Sequence, residues 1–220
     1  MKVDVIVTSH TKPQYQQMLI DCISTLRRSE EDHKFNIVVV ESTKQVFDAG
    51  QDSTVIFDKD EYNVNRAMKL GIATCSNDWV VLASNDIIWG KGWFTEILKA
   101  SVQRPDILSW GAWSNVWNWH PNMFPNPAPI IEGYGIGREL SGWCIATSRE
   151  KVLNKIDLHE KLSFWYSDNV YVDELRKHGI KHALVRDAVV NHLVSQTMRP
   201  TNDEKNTALK EYKNSKGDAS

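Results

Sequence analysis

In the first half of the chain, short apolar runs alternate with segments whose apolar residues recur every three to four positions. A strand buried on both faces reads as a continuous apolar run, and a helix packed on a sheet reads as a stripe. The alternation therefore specifies βαβ units and a mainly parallel sheet. Val3 to Thr8 (VDVIVT) reads as the first strand, and Pro13 to Arg28 as a helix burying Met18, Leu19, Cys22, Ile23 and Leu26. Ile37 to Glu41 (IVVVE) reads as a second strand and Thr54 to Phe57 as a short third. A helix from about Asn63 to Cys75 follows, with Asn63 as its N-cap and Ala67, Met68, Ile72 and Cys75 as its buried stripe. Asp78 to Ser84 (DWVVLAS) is a strand that stops at Asn85-Asp86. A helix over Trp93 to Val102 comes next, its apolar face carried by Phe94, Ile97, Leu98 and Val102, and Ile107 to Gly111 reads as another strand.

From Ala112 to Glu139 the periodicity stops, and Pro121, Pro125, Pro127 and Pro129 stand among several Gly and Asn residues. A long loop without regular structure inside a domain is usually a lid or a binding loop. Order resumes with Leu140 to Thr147 (LSGWCIAT), a helix near Asp168 to His178, and two strands over Lys181 to Arg186 and Ala188 to Asn191. The polar stretch after Thr201 reads as a frayed or partner-docking helix.

Length and charge narrow the classes. A chain of 220 residues with 41% hydrophobic and 25% charged residues suits one globular domain with a real core. Its formal net charge of -2 exerts no general pull toward nucleic acid or an anionic membrane, although a local basic groove is compatible with that total. The opening MKVDVIVTSHTKP lacks the apolar stretch of a signal peptide, and no run approaches the roughly 20 apolar residues of a membrane span. Cys22, Cys75 and Cys144 are odd in number and not spaced for zinc, which suits reduced thiols in a cytoplasmic protein.

Open α/β sheets bind ligands at the carboxyl ends of their strands. Three polar groups fall at such ends: Thr8-Ser9, Glu41-Ser42 and Asn85-Asp86. A carboxylate after the second strand suits a ribose hydroxyl or a base N–H. One after the fourth suits a divalent cation held against a diphosphate. Singly each is an ordinary loop residue; together they form a nucleotide site.

With these blocks in view, the sequence from Val3 to about Thr197 resembles the family 2-like glycosyltransferases of the GT-A fold. The opening strand with Thr8 and Ser9 is similar to that family's first nucleotide-binding loop, and VVVES, ending in Glu41, to its second strand with the base-binding acid. NVNRAMKLGIATCSNDWVVLASND resembles the stretch that leads to the short acidic motif, which places Asn65, Asn85 and Asp86 among the donor-binding residues. KGWF matches the Gly-Trp that follows, GWCIATSRE resembles the acceptor-side strand with Trp143, FWYSDNVYVDELRKHG the helix start bearing the catalytic carboxylate, and VVNHLVSQT the late histidine segment. The resemblance implies a single-domain α/β, Rossmann-like GT-A fold with a mixed, mainly parallel sheet flanked by helices. A nucleotide-sugar half would run over about 1–111 and an acceptor half over about 112–200, with a polar tail at 201–220. It further implies Mn2+ or Mg2+ at Asp86 with His192, a nucleoside-diphosphate sugar (uridine-linked) as donor, and Asp168 as the base that deprotonates an acceptor hydroxyl in an inverting transfer.

Two departures stand beside this. The family offers two acids in its metal motif, whereas Ser84-Asn85-Asp86 offers one, and an amide oxygen is the weaker ligand for a hard cation. Ser167 stands where relatives carry an acid next to the base, and either Ser167 or Asp168 could instead cap the following helix. His192 could equally be a locally hydrogen-bonded strand-end histidine. Four of the nine tryptophans lie at positions 110, 113, 117 and 119. Trp113, Trp117 and Trp143 suit stacking on an acceptor ring and equally suit a core, and Arg138 suits a phosphate or plain solvent. A glycan, a small molecule or a hydroxymethylated base in DNA would serve as acceptor. A non-catalytic carbohydrate- or nucleic-acid-binding module on the same fold is the alternative. A sugar-phosphate nucleotidyltransferase would need a glycine-rich loop after the first strand, where this chain has TSHTKP.

Overall fold

The computed structural model describes residues 1–10, 12, 15–43, 53–116, 119–162, 165–193 and 201–217. Strands β1 (Lys2–Ser9), β2 (Lys34–Glu41), β3 (Ser53–Phe57) and β4 (Trp79–Ser84) pair side by side and parallel, in the order β3-β2-β1-β4. The sheet continues through β8 (Cys144–Ser148), β6 (Ile107–Ser114) and β9 (Lys181–His192). β8 is antiparallel to both neighbours and β6 parallel to β9. Along its free edge β9 pairs antiparallel first with β7 (Ile130–Glu132) and then with β5 (Ile87–Trp89). Six of the nine strands among the described residues run one way, giving the expected mixed, mainly parallel sheet.

Both faces are covered, which is why the strands read as unbroken apolar runs. Val3, Val5 and Val7 of β1 point to the side of α1 (Gln16–Arg28) and α3 (Trp93–Gln103), where Leu19, Cys22, Leu26, Trp93, Phe94 and Ile97 are fully buried or nearly so. Ile6 points the other way, with Val38, Val40 and Leu82, toward α2 (Val64–Ile72) and α5 (Ser167–Lys177). Each such large side chain contributes about 1.5–3 kcal/mol of burial. Asn63 caps α2, its side chain accepting from the Arg66 N–H. Gly71 lets α2 lie close on β1, because a Cβ there would meet Ile6 Cγ2 at 2.4 Å. No helix among the described residues is long and apolar enough to cross a membrane.

Several expectations are corrected. The 112–139 stretch is partly regular: β6 runs on to Ser114, and α4 (Trp119–Met123) and β7 follow. Lys181 to His192 is one strand rather than two, shifting register against β6 near Ala112/Trp113. Val102 is 81% exposed, since α3 buries Trp93, Phe94, Ile97 and Ala100 and turns position 102 to solvent. The polar C-terminal stretch forms a helix as expected, α6 (Asn202–Gly217).

Candidate active site

Parallel register sets Ser9 opposite Glu41 and Thr8 opposite Ser84, so three strand ends form one row. Glu41 is fully buried and ties that row together. Its Oε2 accepts the Ser9 hydroxyl at 2.6 Å, and its Oε1 accepts the Thr43 N–H at 2.9 Å and hydroxyl at 2.8 Å. The Asn85 amide donates to Ser9 Oγ at 3.1 Å, and the Thr8 hydroxyl to the Ala83 carbonyl at 3.3 Å. Beside them the His10 ring stacks on Tyr62 at 5.1 Å. Burial lowers the His10 pKa, against the opposing charge of Glu41, and so favours the neutral ring. Neither His10 nor Tyr62 stands in a motif, and only the fold makes them neighbours of Glu41. Asn65 is 2% exposed, donates to the His159 carbonyl at 2.8 Å, and has its Oδ1 buried with no hydrogen-bond partner. With Asn63, whose amide reaches the Glu160 and Leu162 carbonyls, it pins the 159–162 segment against α2.

The Asp86–His192 pair is built by strand pairing. β5 begins one residue after Asp86, and its Ile87 is in register with His192 at the end of β9. His192 Nε2 lies 3.3 Å from Asp86 Oδ1, and the Ser84 hydroxyl donates to the same oxygen at 2.5 Å. Burial alone would raise the Asp86 pKa; the His192 and Ser84 hydrogen bonds outweigh it, and the net shift is downward. The carboxylate is therefore held ionised. Trp143 stacks flat on His192 (5.2 Å, 10° between planes), and the Trp143 carbonyl accepts the Ser84 N–H at 3.1 Å.

Trp143 also leads to Asp168. Its neighbour Gly142 lies beneath the first turn of α5, where a Cβ would stand 3.3 Å from Asp168 Cβ. Burial raises the Asp168 pKa, partly offset by the Asn169 N–H, which donates at 3.0 Å. Asp168 is not the N-cap: that position is Tyr166, whose backbone is left-handed (φ 70°, ψ 14°) and which makes no side-chain cap. Tyr166 is the one non-glycine residue with positive φ among those described, a conformation costing about 1–3 kcal/mol. The Ser141 hydroxyl, next to Gly142, is buried without a partner.

The other candidates sit apart from this centre. Trp113 is 5% exposed, donates to Asn115 Oδ1 at 2.8 Å and packs on His120 at 4.9 Å. His120 is fully buried, its pKa pushed down to about 4 by burial, and it lies 6.0 Å from Trp143. Trp113 thus belongs to an aromatic column that ends at His192. Arg138 is exposed, ion-paired to Glu139 at 2.9 Å and seated over Phe124 at 5.2 Å. Trp117, like Phe164 four positions before Asp168 in sequence, lies outside the described residues. A cavity of about 820 Å³ lined by Lys2, Arg27, Lys34 and Asn77 opens at the opposite, amino-terminal edge of the sheet and takes no part in this arrangement.

A divalent cation held by Asp86 and His192 would replace the hydrogen bond that joins them here. Two ligand atoms about 2.1 Å from one ion and at right angles lie about 3.0 Å apart, close to the observed separation. Among the described residues no three His, Cys, Asp or Glu side chains cluster for a metal. A cation here would share its coordination with a ligand's own oxygens rather than sit in a protein cage.

No protein-family model matches the sequence, and no curated protein sequence matches it either. Solved structures do match. The mannosyltransferase PcManGT from Pyrobaculum calidifontis, solved in complex with GDP-Man and Mn2+, superposes with a TM-score of 0.64 at 14% identity over 89% of this chain and 57% of that one. TarS of S. aureus (residues 1–349) superposes with a TM-score of 0.62 at 15% identity over 85% of this chain and 58% of its own. The chain thus spans a little under three fifths of these two proteins, and what it shares with them is the fold: the sheet and its flanking helices have the GT-A arrangement.

Proposed function

We propose that the chain is a metal-dependent, inverting glycosyltransferase that moves a sugar from a nucleoside-diphosphate sugar to a hydroxyl acceptor. The observation that carries this reading is the series of contacts that runs from Asp86 through His192 and Trp143 to Gly142 and Asp168, starting beside the Ser9–Glu41–Asn85 row. A bound cation would supply charge neutralisation as the diphosphate departs, with Asp86 and His192 as its protein ligands. Asp168 takes the proton of the acceptor hydroxyl. The acceptor oxygen then bonds to the anomeric carbon from the face opposite the diphosphate, and the carbon–oxygen bond to the phosphate breaks. A buried carboxyl with a raised pKa suits a base working near neutrality.

The Ser9–Glu41–Asn85 row orders the strand ends against which the nucleotide lies, and the neutral His10–Tyr62 stack offers an aromatic edge beside it. The resemblance favours a uridine-linked donor; the mannosyltransferase neighbour's GDP-Man makes a guanosine-linked donor the comparison to run beside it. The test is calorimetric titration of uridine and guanosine diphosphates, with and without Mn2+, into wild type and Asp86→Ala. Metal-dependent binding that the variant loses supports the donor site. Absence of binding to any nucleoside diphosphate sinks the transferase reading in favour of a non-catalytic module.

A further inference from the structure

The C-terminal helix α6 has little apolar reason to stay where it is. Among its described side chains only Ala208 is fully buried, Leu209 and Tyr212 are half-buried, and the rest are polar. Its hold on the molecule lies in a few directed contacts with α5. The Tyr212 ring stacks on the Tyr166 ring at 5.3 Å and within 5° of parallel. The Tyr212 hydroxyl donates to Asp173 Oδ2 at 2.5 Å, and Lys216 Nζ lies 3.0 Å from that same oxygen and 4.8 Å from the Tyr212 ring centre. One side chain of α6 thus touches α5 at two places, its entry at Tyr166 and its second turn at Asp173.

What it grips matters. Tyr166 holds the left-handed conformation that lets the chain enter α5, and its carbonyl accepts the first helical N–H, that of Val170, at 3.1 Å. Asp168 lies inside that turn, one residue beyond Ser167. A non-glycine residue stays left-handed only where its surroundings over-determine it. Here the surroundings include a ring lying flat on its side chain.

We propose that Tyr212 is a positioning residue for Asp168: by stacking on Tyr166 it holds the strained entry to α5, and with it the base, in the geometry needed for transfer. The inference rests on the reading of Asp168 as the base. It gives α6 a part in the reaction without contact with either substrate.

The test pairs turnover with a readout independent of chemistry. Tyr212→Ala is expected to lower kcat about tenfold at saturating donor, with nucleoside diphosphate affinity and donor KM unchanged. Tyr212→Phe, which keeps the ring, recovers most of the loss. Tyr166→Ala is expected to cost as much as Tyr212→Ala, and the double variant no more than either alone, since both remove one interaction. Hydrogen exchange of the Val170 amide is expected to quicken about tenfold in Tyr212→Ala, not in Tyr212→Phe, while the β1 and β4 amides stay as in wild type. Unchanged Val170 exchange overturns the proposal whatever the enzyme does. So does equal loss of nucleotide affinity and kcat, which would mark a general structural role. Full activity of Asp168→Asn beside a normal exchange response would instead overturn the base assignment, and the catalytic meaning of the device with it.

Discussion

Gly142→Ala tests the proposed role of Asp168 by displacing its side chain. The added Cβ would stand 3.3 Å from Asp168 Cβ, whereas carbon atoms in ordinary contact lie about 3.5–4.0 Å apart. Asp168 and the first turn of α5 must therefore retreat by roughly 0.2–0.7 Å. Catalytic groups work within about 0.5 Å of their productive position, and a 1 Å misplacement costs about a hundredfold. A shift of this size is expected to lower kcat by about tenfold, which is about 1.4 kcal/mol of barrier. Gly142 is not left-handed, so the alanine backbone is unstrained; the stiffer unfolded chain favours folding by about 0.4–1 kcal/mol, which offsets part of the cost of displacing the first turn of α5. The assay is steady-state release of nucleoside diphosphate at saturating donor and acceptor, with thermal melting and nucleoside diphosphate affinity measured alongside. Wild-type kcat in a well-folded variant would refute the placement of Asp168 as the reacting base. So would a loss of nucleotide affinity as large as the loss in kcat.

Other expectations follow from the same geometry. Because burial raises the Asp168 pKa, kcat should fall on acidification at a pH above the ordinary carboxylate range, read from a kcat–pH profile. A folded-state pKa above the unfolded one favours folding at low pH, and that favour is lost as pH rises through the folded value. Asp168→Asn should therefore abolish transfer, leave nucleotide affinity intact, and melt higher than wild type near neutral pH, the difference vanishing in acid. Trp143→Ala removes the stack that orients His192 and should weaken Mn2+-dependent nucleotide binding about tenfold by calorimetry, with metal-free binding unchanged. Asp4 is fully buried and accepts the Ser76 and Asn77 N–H groups and the Asn36 and Asn77 amides. Asp4→Ala should cost about 3 kcal/mol or more in a urea titration without touching the site.

The parallel half of the fold was legible because its signal is local. β1, β2 and β4 are buried on both faces and therefore apolar throughout, and α1 and α2 show stripes that any window of a dozen residues reveals. The second half depends on partners distant in sequence. β5 is three residues long and exists because Ile87 to Trp89 find Val190 to His192 more than a hundred positions away. β7 is as short and likewise borrows its regularity from β9. β9 reads as two strands because the half-buried Arg186 and the exposed Asp187, paired to each other, interrupt the apolar run at the register shift without ending the strand. In α3 the error was one of phase: Trp93 and Ala100 define the buried stripe with Phe94 and Ile97, which rotates Val102 outward.

The candidate site divides along the same line. Thr8, Ser9, Glu41, Asn85 and Asp86 could be grouped from sequence because parallel strands in register end together, so residues at strand ends are neighbours by construction. Nothing so regular ties Asp168 or His192 to them. Their approach runs through Gly142, which is small enough to let α5 descend, and through Trp143, which offers one face to His192. Neither role has a spacing rule; each needs the antiparallel insertion of β8 beside β4, which carries the Gly142–Trp143 corner to the end of the strand preceding Asp86. Trp113 illustrates the limit from the other side. As an aromatic residue near a proline-rich stretch it suits an acceptor surface as well as a core, and only its burial beside His120 gives it a place, inside the column behind Trp143. Sequence periodicity thus reaches the row of strand ends at Thr8, Glu41 and Asn85, whereas the approach of Asp168 to the Asp86–His192 pair is a property of how the antiparallel strands close the sheet.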